Sequence, residues 1–170
     1  METDLSLALE LWREALIGYD FNQLTQRPGV NQWSLGQVYT HLISETNFFL
    51  EQSNICACTN DHAAEHMTAR TRQLFENDKL PDQRLKTPTN TLDQPQPVSK
   101  QKLEQELEIL SGKINATKIL LTSSPCKGKT PHPGLGYLNA NEWYKFARMH
   151  LLHHLLQKSR IEAALNLTAF

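Results

Sequence analysis

The chain has 170 residues, of which 39% are hydrophobic and 21% are charged, and its formal net charge is -1. This composition is typical of a globular protein, and it gives no electrostatic basis for binding nucleic acid or an anionic membrane surface. The sequence predicts one domain over residues 1–170, without the roughly 18-residue apolar run that a membrane-spanning helix needs. The acidic N-terminus does not resemble a secretion signal and three cysteines do not make a disulfide framework, so we expect a cytoplasmic protein.

Apolar residues at helical spacing predict a first amphipathic helix from about Leu5 to Leu24. Its predicted buried stripe comprises Leu7, Leu11, Ala15, Leu16 and Tyr19. The Pro28 and Gly29 pair predicts the end of this segment, because both residues favour turns.

A second helix is predicted to begin after Ser34, since serine is a favoured N-cap and Gln37 completes a capping-box pattern. Its core-facing stripe comprises Leu35, Val38, Leu42 and Phe49. His41 lies beside that stripe, and Glu45 follows one turn later on the same edge. A histidine on an apolar face is more often a packed core residue than a metal ligand, so His41 alone indicates no function.

The middle of the chain is predicted to be less regular. Residues 55–76 are interpreted as a loop and a third, more polar helix from about Asp61, and four prolines between 77 and 98 predict a long irregular connection. A fourth helix is predicted from Ser99 to about Thr122, and residues 124–136 are predicted to form a loop. Four long helices and one long crossover predict an all-α fold, an antiparallel four-helix bundle.

The last helix carries the strongest functional signal. Residues 141–166 contain no glycine or proline, and Asn139 or Asn141 is the expected cap. At about 100° per residue, His150 and His154 lie one turn apart at the middle of an otherwise apolar stripe. Two histidines at i and i+4 direct their nitrogens to one point, where a divalent metal commonly binds. The alternative is that both are polar residues at a helix–helix contact.

A third metal ligand has to come from another helix, and His41 is the best-placed histidine by pattern. Three imidazoles with an open position are typical of a catalytic site, since structural zinc has four protein ligands. Glu45 is then a candidate catalytic base or partner of a ligand, and Gln157 is a candidate hydrogen-bond partner of a ligand. Imidazole ligands do not distinguish among Zn2+, Ni2+, Fe2+ and Mn2+.

A second set of metal-ligating residue types lies in the middle of the chain. Cys56, Cys58, His62 and His66 form a C-x-C-x3-H-x3-H pattern, whose residue types suit a closed zinc site. The C-x-C spacing is tighter than is usual in such sites. The alternative is a polar helix with small buried thiols, which behave as modest hydrophobes.

Two stretches, WSLGQVYTHLISE and HPGLGYLNANEWYKFARMHLLHHLLQKSRI, resemble the DinB-like (DinB/YfiT) superfamily of metal-binding four-helix bundles. The second stretch is similar to a branch of unknown function. The matching positions are His132, Pro133, Gly136, Leu138, Trp143, His150, His153, His154 and Gln157. The resemblance implies that His41, His150 and His154 are the metal ligands, and it does not extend to residues 55–100.

The resemblance also implies a class of chemistry. Characterised branches resemble thiol-dependent transferases and isomerases, in which a metal activates the thiol of a small cofactor such as bacillithiol, mycothiol or glutathione. A hydrolase that activates water would use the same site. We therefore expect a metal-dependent enzyme with a small-molecule substrate, and the alternative is a non-catalytic bundle that binds a partner or serves in a stress response.

Other residues of the last helix predict contacts with neighbours. His153 lies off the ligand stripe and is interpreted as contacting the crossover, with a role beside a ligand as the alternative. His132 is interpreted as a cap of the loop before the last helix, with a place over the pocket mouth as the alternative. Arg148 and Lys158 are expected to face solvent or a partner. The side opposite the histidines carries three leucines, Leu152, Leu155 and Leu156. A helix that is apolar on both sides is either central or covered by another chain, which predicts a homodimer.

Overall fold

The computed structural model describes residues 4–81 and 94–167, and most of these residues are helical. In chain order the elements are α1 (Leu5–Ile17), α2 (Phe21–Thr25), α3 (Leu35–Ala57), α4 (Ala69–Glu76), α5 (Lys100–Ser123), β1 (Lys129–His132), β2 (Gly136–Asn139) and α6 (Ala140–Ala164). The four long helices pack around a shared core, which confirms the predicted all-α four-helix bundle. Within the described ranges, no helix combines the length and the apolar character needed to cross a membrane.

The bundle consists of two antiparallel pairs of helices. α1 and α5 run in opposite directions, since Asp4 at the start of α1 pairs with Lys118 near the end of α5. α3 and α6 are also antiparallel, since the Ser53 hydroxyl near the end of α3 donates to the carbonyl of Ala140, the first residue of α6, at 2.8 Å. α3 packs against α5 and α1 packs against α6 as well, so α1 and α3 occupy diagonal corners.

The directions of α3 and α5 require a long connection between them. These helices run parallel, as two contacts show. Gly36 at the start of α3 lies against Pro97, just before α5. Further along both helices, Lys113 of α5 donates to Asn47 of α3 at 2.6 Å. The chain therefore leaves α3 at one end of the bundle and begins α5 at the other. The predicted crossover is confirmed, although its residues 82–93 lie outside the described residues.

The helix within the crossover is shorter than predicted. α4 begins at Ala69 rather than near Asp61, and its N-cap is Thr68, whose hydroxyl accepts from the amide of Thr71 at 3.1 Å. A turn precedes this helix, and in it His62 has a φ of 56°. Because a left-handed residue cannot continue a right-handed helix, the polar stretch before Thr68 is not helical.

The first predicted helix is interrupted, and its predicted buried face is partly wrong. α1 ends before Asp20, which caps the separate helix α2. Leu7 is 58% exposed and Leu11 is 43% exposed, although helical spacing predicts that both are buried. The buried face is centred instead on Trp12, which is fully buried and donates from its indole Nε1 to the carbonyl of Leu151 at 3.1 Å.

The predicted caps of the other long helices are confirmed. Ser34 and Gln37 form a capping box at α3, and Ser99 caps α5. α6 begins after Asn139, the first of its two predicted caps, which forms a capping box with Glu142. These contacts satisfy amide groups that the first turn of a helix leaves without partners. The predicted core residues of α3 are buried, namely Leu35, Val38, Leu42 and Phe49.

The loop predicted before α6 contains a β-hairpin that the sequence pattern does not reveal. β1 and β2 pair antiparallel, from Lys129 opposite Asn139 to His132 opposite Gly136. Gly136 has a φ of 83°, and a Cβ there would lie 2.9 Å from the carbonyl oxygen of His66. Because prolines and glycines are typical of turns, their density in this stretch conceals the two short strands.

Charged side chains of α6 are buried against the rest of the fold, contrary to the exposure predicted for Arg148. Arg148 is 6% exposed and pairs with Asp78, which follows α4 in the crossover. Glu162 is 8% exposed and accepts hydrogen bonds from Tyr19 and Lys158. A buried charge requires such a partner, so these pairs fix the crossover and the end of α1 against α6.

Candidate metal centre

Three histidines from two helices meet inside the bundle. His41 lies on the second turn of α3, and His150 and His154 lie one turn apart near the middle of α6. Because α3 and α6 pack along their length, His41 faces both of the other rings. Its ring centroid lies 5.1 Å from that of His150 and 5.0 Å from that of His154. The structure thus brings together the three histidines that the sequence pattern selects.

The ring nitrogens of this cluster have the spacing of ligands that share one ion. One nitrogen from each ring lies within 4.8 Å of the other two, and Nε2 of His150 and Nε2 of His154 are 3.1 Å apart. Two imidazole nitrogens bound to one ion at ~2.1 Å are separated by roughly 3.0–3.4 Å. Among the residues that the structure describes, no other group of three metal-ligating side chains is so closely spaced.

Burial keeps all three imidazoles neutral. Desolvation lowers the pKa of His41 to about 4, and desolvation together with the nearby His41 lowers the pKa of His154 to about 4. Desolvation, followed by the effect of His154, holds the pKa of His150 well below its usual value. A neutral imidazole keeps a lone pair on one ring nitrogen, and this is the form that binds a metal.

The two histidines of α6 have different hydrogen-bond partners. Nδ1 of His154 lies 2.7 Å from Oε1 of Gln157, so Gln157 contacts a ring of the cluster as the sequence predicts. Nδ1 of His150 is buried and has no hydrogen-bond partner within the described parts of the chain. Of the two rings, only that of His154 therefore has a polar side chain hydrogen-bonded to its Nδ1 within the described residues.

The other two histidines of the motif lie at the edge of the cluster. The ring centroid of His153 lies 5.3 Å from that of His154, which fits the alternative role beside a ligand. The sequence also predicts a contact between His153 and the crossover. Residues 82–93 of the crossover lie outside the described ranges, so this contact stays a prediction. His132 ends β1 and caps the turn of the hairpin, since its Nδ1 accepts from the amide of Gly134 at 3.1 Å, and its ring lies 5.3 Å from that of Phe146.

Glu45 lies one turn after His41 on α3 and outside the ligand set of the cluster. It lies between His41 and Phe49 on one face of α3, and both of these residues contact the ring of His150, with centroids 5.1 Å and 5.4 Å away. Its carboxylate is not part of the group of closely spaced ligand atoms. Burial raises the pKa of Glu45, which brings this carboxyl group closer to the range where it exchanges a proton at neutral pH.

Aromatic rings surround the cluster, and one of them lies outside the predicted helices. Phe49 and Phe146 lie against His150, with centroids 5.4 Å and 6.3 Å away, and Phe49 belongs to the core stripe predicted for the second helix. Trp33, the residue before the N-cap of α3, packs on His41, and the two ring centroids are 5.1 Å apart. Trp33 begins the stretch that resembles the family, but it lies outside every helical repeat, so periodicity does not predict its contact with His41. These rings reduce the hydration of the imidazoles, which accounts for their lowered pKa values.

The second set of metal-ligating residue types does not form a site within the described residues. Cys56 is buried in the last turn of α3, where its thiol lies 3.5 Å from the carbonyl oxygen of Leu138. Cys58 is exposed, and His62 and His66 are exposed in the segment that follows. The structure therefore agrees with the alternative interpretation for Cys56, a small buried thiol in the core.

Comparison with known proteins gives a match at the level of the family. No curated protein and no solved structure matches the chain. The profile of the DinB superfamily matches residues 4–157, a range that includes α1, α3 and α5, most of α6 and the whole histidine cluster. Because this match covers most of the chain, the protein belongs to the DinB superfamily.

Proposed function

We propose that this protein is a metal-dependent enzyme in which His41, His150 and His154 hold one divalent ion and act on a small-molecule substrate. The observation that carries the proposal is the convergence of three neutral ring nitrogens, two of them 3.1 Å apart, in a member of the DinB superfamily. Three protein ligands leave coordination positions open, and open positions are characteristic of catalytic sites. Zn2+, Ni2+, Fe2+ and Mn2+ all suit this donor set.

A bound divalent ion would supply Lewis acidity, which polarises a substrate oxygen or lowers the pKa of a water or thiol. Glu45 is the proposed base, because this residue lies on the face of α3 between two residues that contact His150 and burial raises its pKa. It would take the proton of the nucleophile and return it to the leaving group. Trp33 and Phe49 exclude water from one side of the cluster, which strengthens electrostatic interactions there.

Two reaction classes fit this set of groups. The family resemblance favours group transfer with a low-molecular-weight thiol as cofactor, and hydrolysis would need the same ligands and the same base. A direct comparison separates them: reconstituted enzyme is incubated with electrophilic substrates in the presence and absence of bacillithiol, mycothiol or glutathione. Turnover that requires the thiol supports transfer, and turnover of equal rate without it supports hydrolysis.

We also propose that the protein is a cytoplasmic homodimer that uses the outer face of α6. Leu156 is 44% exposed on this face, and the neighbouring helix α1 leaves Leu7 58% exposed. Leu152 and Leu155 pack in part against the core, so the exposed apolar area is smaller than the sequence implies. Sedimentation of the wild type beside Leu156→Glu tests the dimer, because a monomeric wild type at high concentration would contradict it.

Metal analysis tests the enzyme proposal. Protein purified without a histidine tag should carry close to one equivalent of a divalent metal, and His150→Ala should lose it. His66→Ala removes an exposed histidine outside the cluster and should keep the metal, so it serves as the matched control. If the wild type binds no metal and gains no thermal stability from Zn2+ or Ni2+, the proposal is wrong and the non-catalytic bundle is favoured.

A further inference from the structure

The hydrogen bond between Gln157 and His154 determines where the proton of that ring lies. Oε1 of Gln157 is a carbonyl oxygen, which accepts hydrogen bonds and cannot donate them. It lies 2.7 Å from Nδ1 of His154, so the bond forms only when Nδ1 carries the proton. In a neutral ring the other nitrogen, Nε2, then has a free lone pair.

The contact between the two α6 rings assigns the second proton. Nε2 of His154 and Nε2 of His150 are 3.1 Å apart, a hydrogen-bond distance. Because Nε2 of His154 has a lone pair, Nε2 of His150 must donate, and this leaves Nδ1 of His150 without a proton. That nitrogen is buried without a hydrogen-bond partner in the described part of the chain. In the metal-free cluster, Nε2 of His154 therefore has a lone pair and Nε2 of His150 carries a proton.

We propose that Gln157 is a positioning residue, which holds His154 in the Nδ1–H tautomer and thereby makes its Nε2 a ready ligand. This inference rests on the proposed function, since it concerns the same cluster. Histidines that bind metals usually donate their second N–H to a carboxylate or carbonyl oxygen, and the loss of that partner typically weakens metal binding about 10–100-fold. Within the described ranges, Gln157 is the only amide or carboxylate side chain that bonds one of these three rings.

Three variants test the role of Gln157. Gln157→Leu keeps the approximate size of the side chain but removes the acceptor, whereas Gln157→Glu keeps an acceptor oxygen at the same position. Ser159→Ala, two residues further along α6, removes an exposed hydroxyl that bonds only a carbonyl of its own helix, and it is the matched control. The apparent melting temperature of each metal-free variant is recorded so that a loss of folding is separated from a loss of positioning.

Tautomers are read from the ring-nitrogen chemical shifts of nitrogen-15-labelled, chelator-treated protein at pH 8. We expect His154 of the wild type, of Gln157→Glu and of Ser159→Ala to be in the Nδ1–H form, and Gln157→Leu to populate the Nε2–H form. Zinc affinity, measured by competition with a chromophoric chelator, should fall about 10–100-fold in Gln157→Leu and return to within a few-fold of wild type in Gln157→Glu.

The two measurements separate this inference from the proposal on which it rests. The inference is wrong if His154 of Gln157→Leu keeps the wild-type tautomer. It is also wrong if the tautomer changes but this variant binds zinc as tightly as the wild type, because Gln157 then does not position the ligand. If the wild type binds no zinc, the proposed function fails, while the tautomer spectra still judge the effect of Gln157 on His154. If Gln157→Leu does not fold, Gln157→Met, a milder change that also removes the acceptor, replaces it. The tautomer of His154 and the zinc affinity of Gln157→Met are then compared with those of Gln157→Glu.

Discussion

Acidification should destabilise the metal-free protein through the three imidazoles of the cluster. The pKa of His41 and that of His154 are lowered from 6.5 to about 4 by burial, so the unfolded chain takes up protons that the folded protein excludes. Because the unfolded state binds more protons between these values, the free energy of unfolding is highest above pH 6.5 and falls as the pH drops towards 4. His150 has a lowered pKa and acts in the same direction.

The size of this effect follows from the pKa values. A fall from 6.5 to about 4 corresponds to about 3 kcal/mol per ring once protonation is complete, of which about 2 kcal/mol develops between pH 8 and pH 5. Both side chains keep part of their surface in solvent, and solvent screening reduces the figure to about 1–2 kcal/mol for each. Together His41 and His154 should therefore remove about 2–4 kcal/mol, a large part of a typical total stability of about 5–15 kcal/mol.

Urea unfolding in the presence of a chelator at pH 5, 6, 7 and 8 measures this dependence. The double variant His41→Gln/His154→Gln should lose about 2–4 kcal/mol less than the wild type over this range. His66→Gln, which removes an exposed imidazole outside the cluster, is the control and should show the wild-type dependence on pH. Parallel pH curves for the wild type and the double variant would refute the reasoning, since they would mean that the cluster ionises in the folded protein as freely as in the unfolded one.

Three further predictions concern the metal, the base and the hairpin. Zinc at 100 times its dissociation constant should add about 2.7 kcal/mol and raise the melting temperature by about 5–11 °C in differential scanning calorimetry, and His41→Ala should abolish the shift. Glu45→Gln should lower kcat by about 100- to 10,000-fold while the metal content stays at the wild-type level, and an unchanged kcat would exclude Glu45 as the base. Gly136→Ala should destabilise the fold by about 1–3 kcal/mol in urea unfolding because of the positive φ, whereas Gly134→Ala, where a Cβ meets no atom within 4 Å, should have little effect.

Features that depend on a few neighbouring residues could be predicted from the sequence. The Ser34 cap, the Asn139 cap and the i,i+4 spacing of His150 and His154 each depend on one or two turns of helix. Helical geometry alone relates these residues, so no knowledge of the fold is needed. The same holds for Gln157, which reaches His154 across one turn.

Features that depend on contacts distant in sequence could not be predicted in the same way. Periodicity places Leu7 and Trp12 on two faces of α1, and the choice between the faces is made by the fit of the indole against Leu151 on α6. The packing of Trp33 on His41 likewise depends on how the chain enters α3. Pattern and family resemblance predict that His41 pairs with the α6 histidines, but the distances among the rings depend on how the helices pack.

The junction between the hairpin and the last helix has a consequence for engineering. Asn139 is both the final residue of β2 and the N-cap of α6, so no linker separates strand from helix. Inserting one residue here would rotate everything downstream by about 100° and advance it by about 1.5 Å. His150 and His154 would then point away from His41. Additions at the tip of the hairpin, around Gly134, would leave that angular relation untouched, which makes the tip the natural place for a reporter tag.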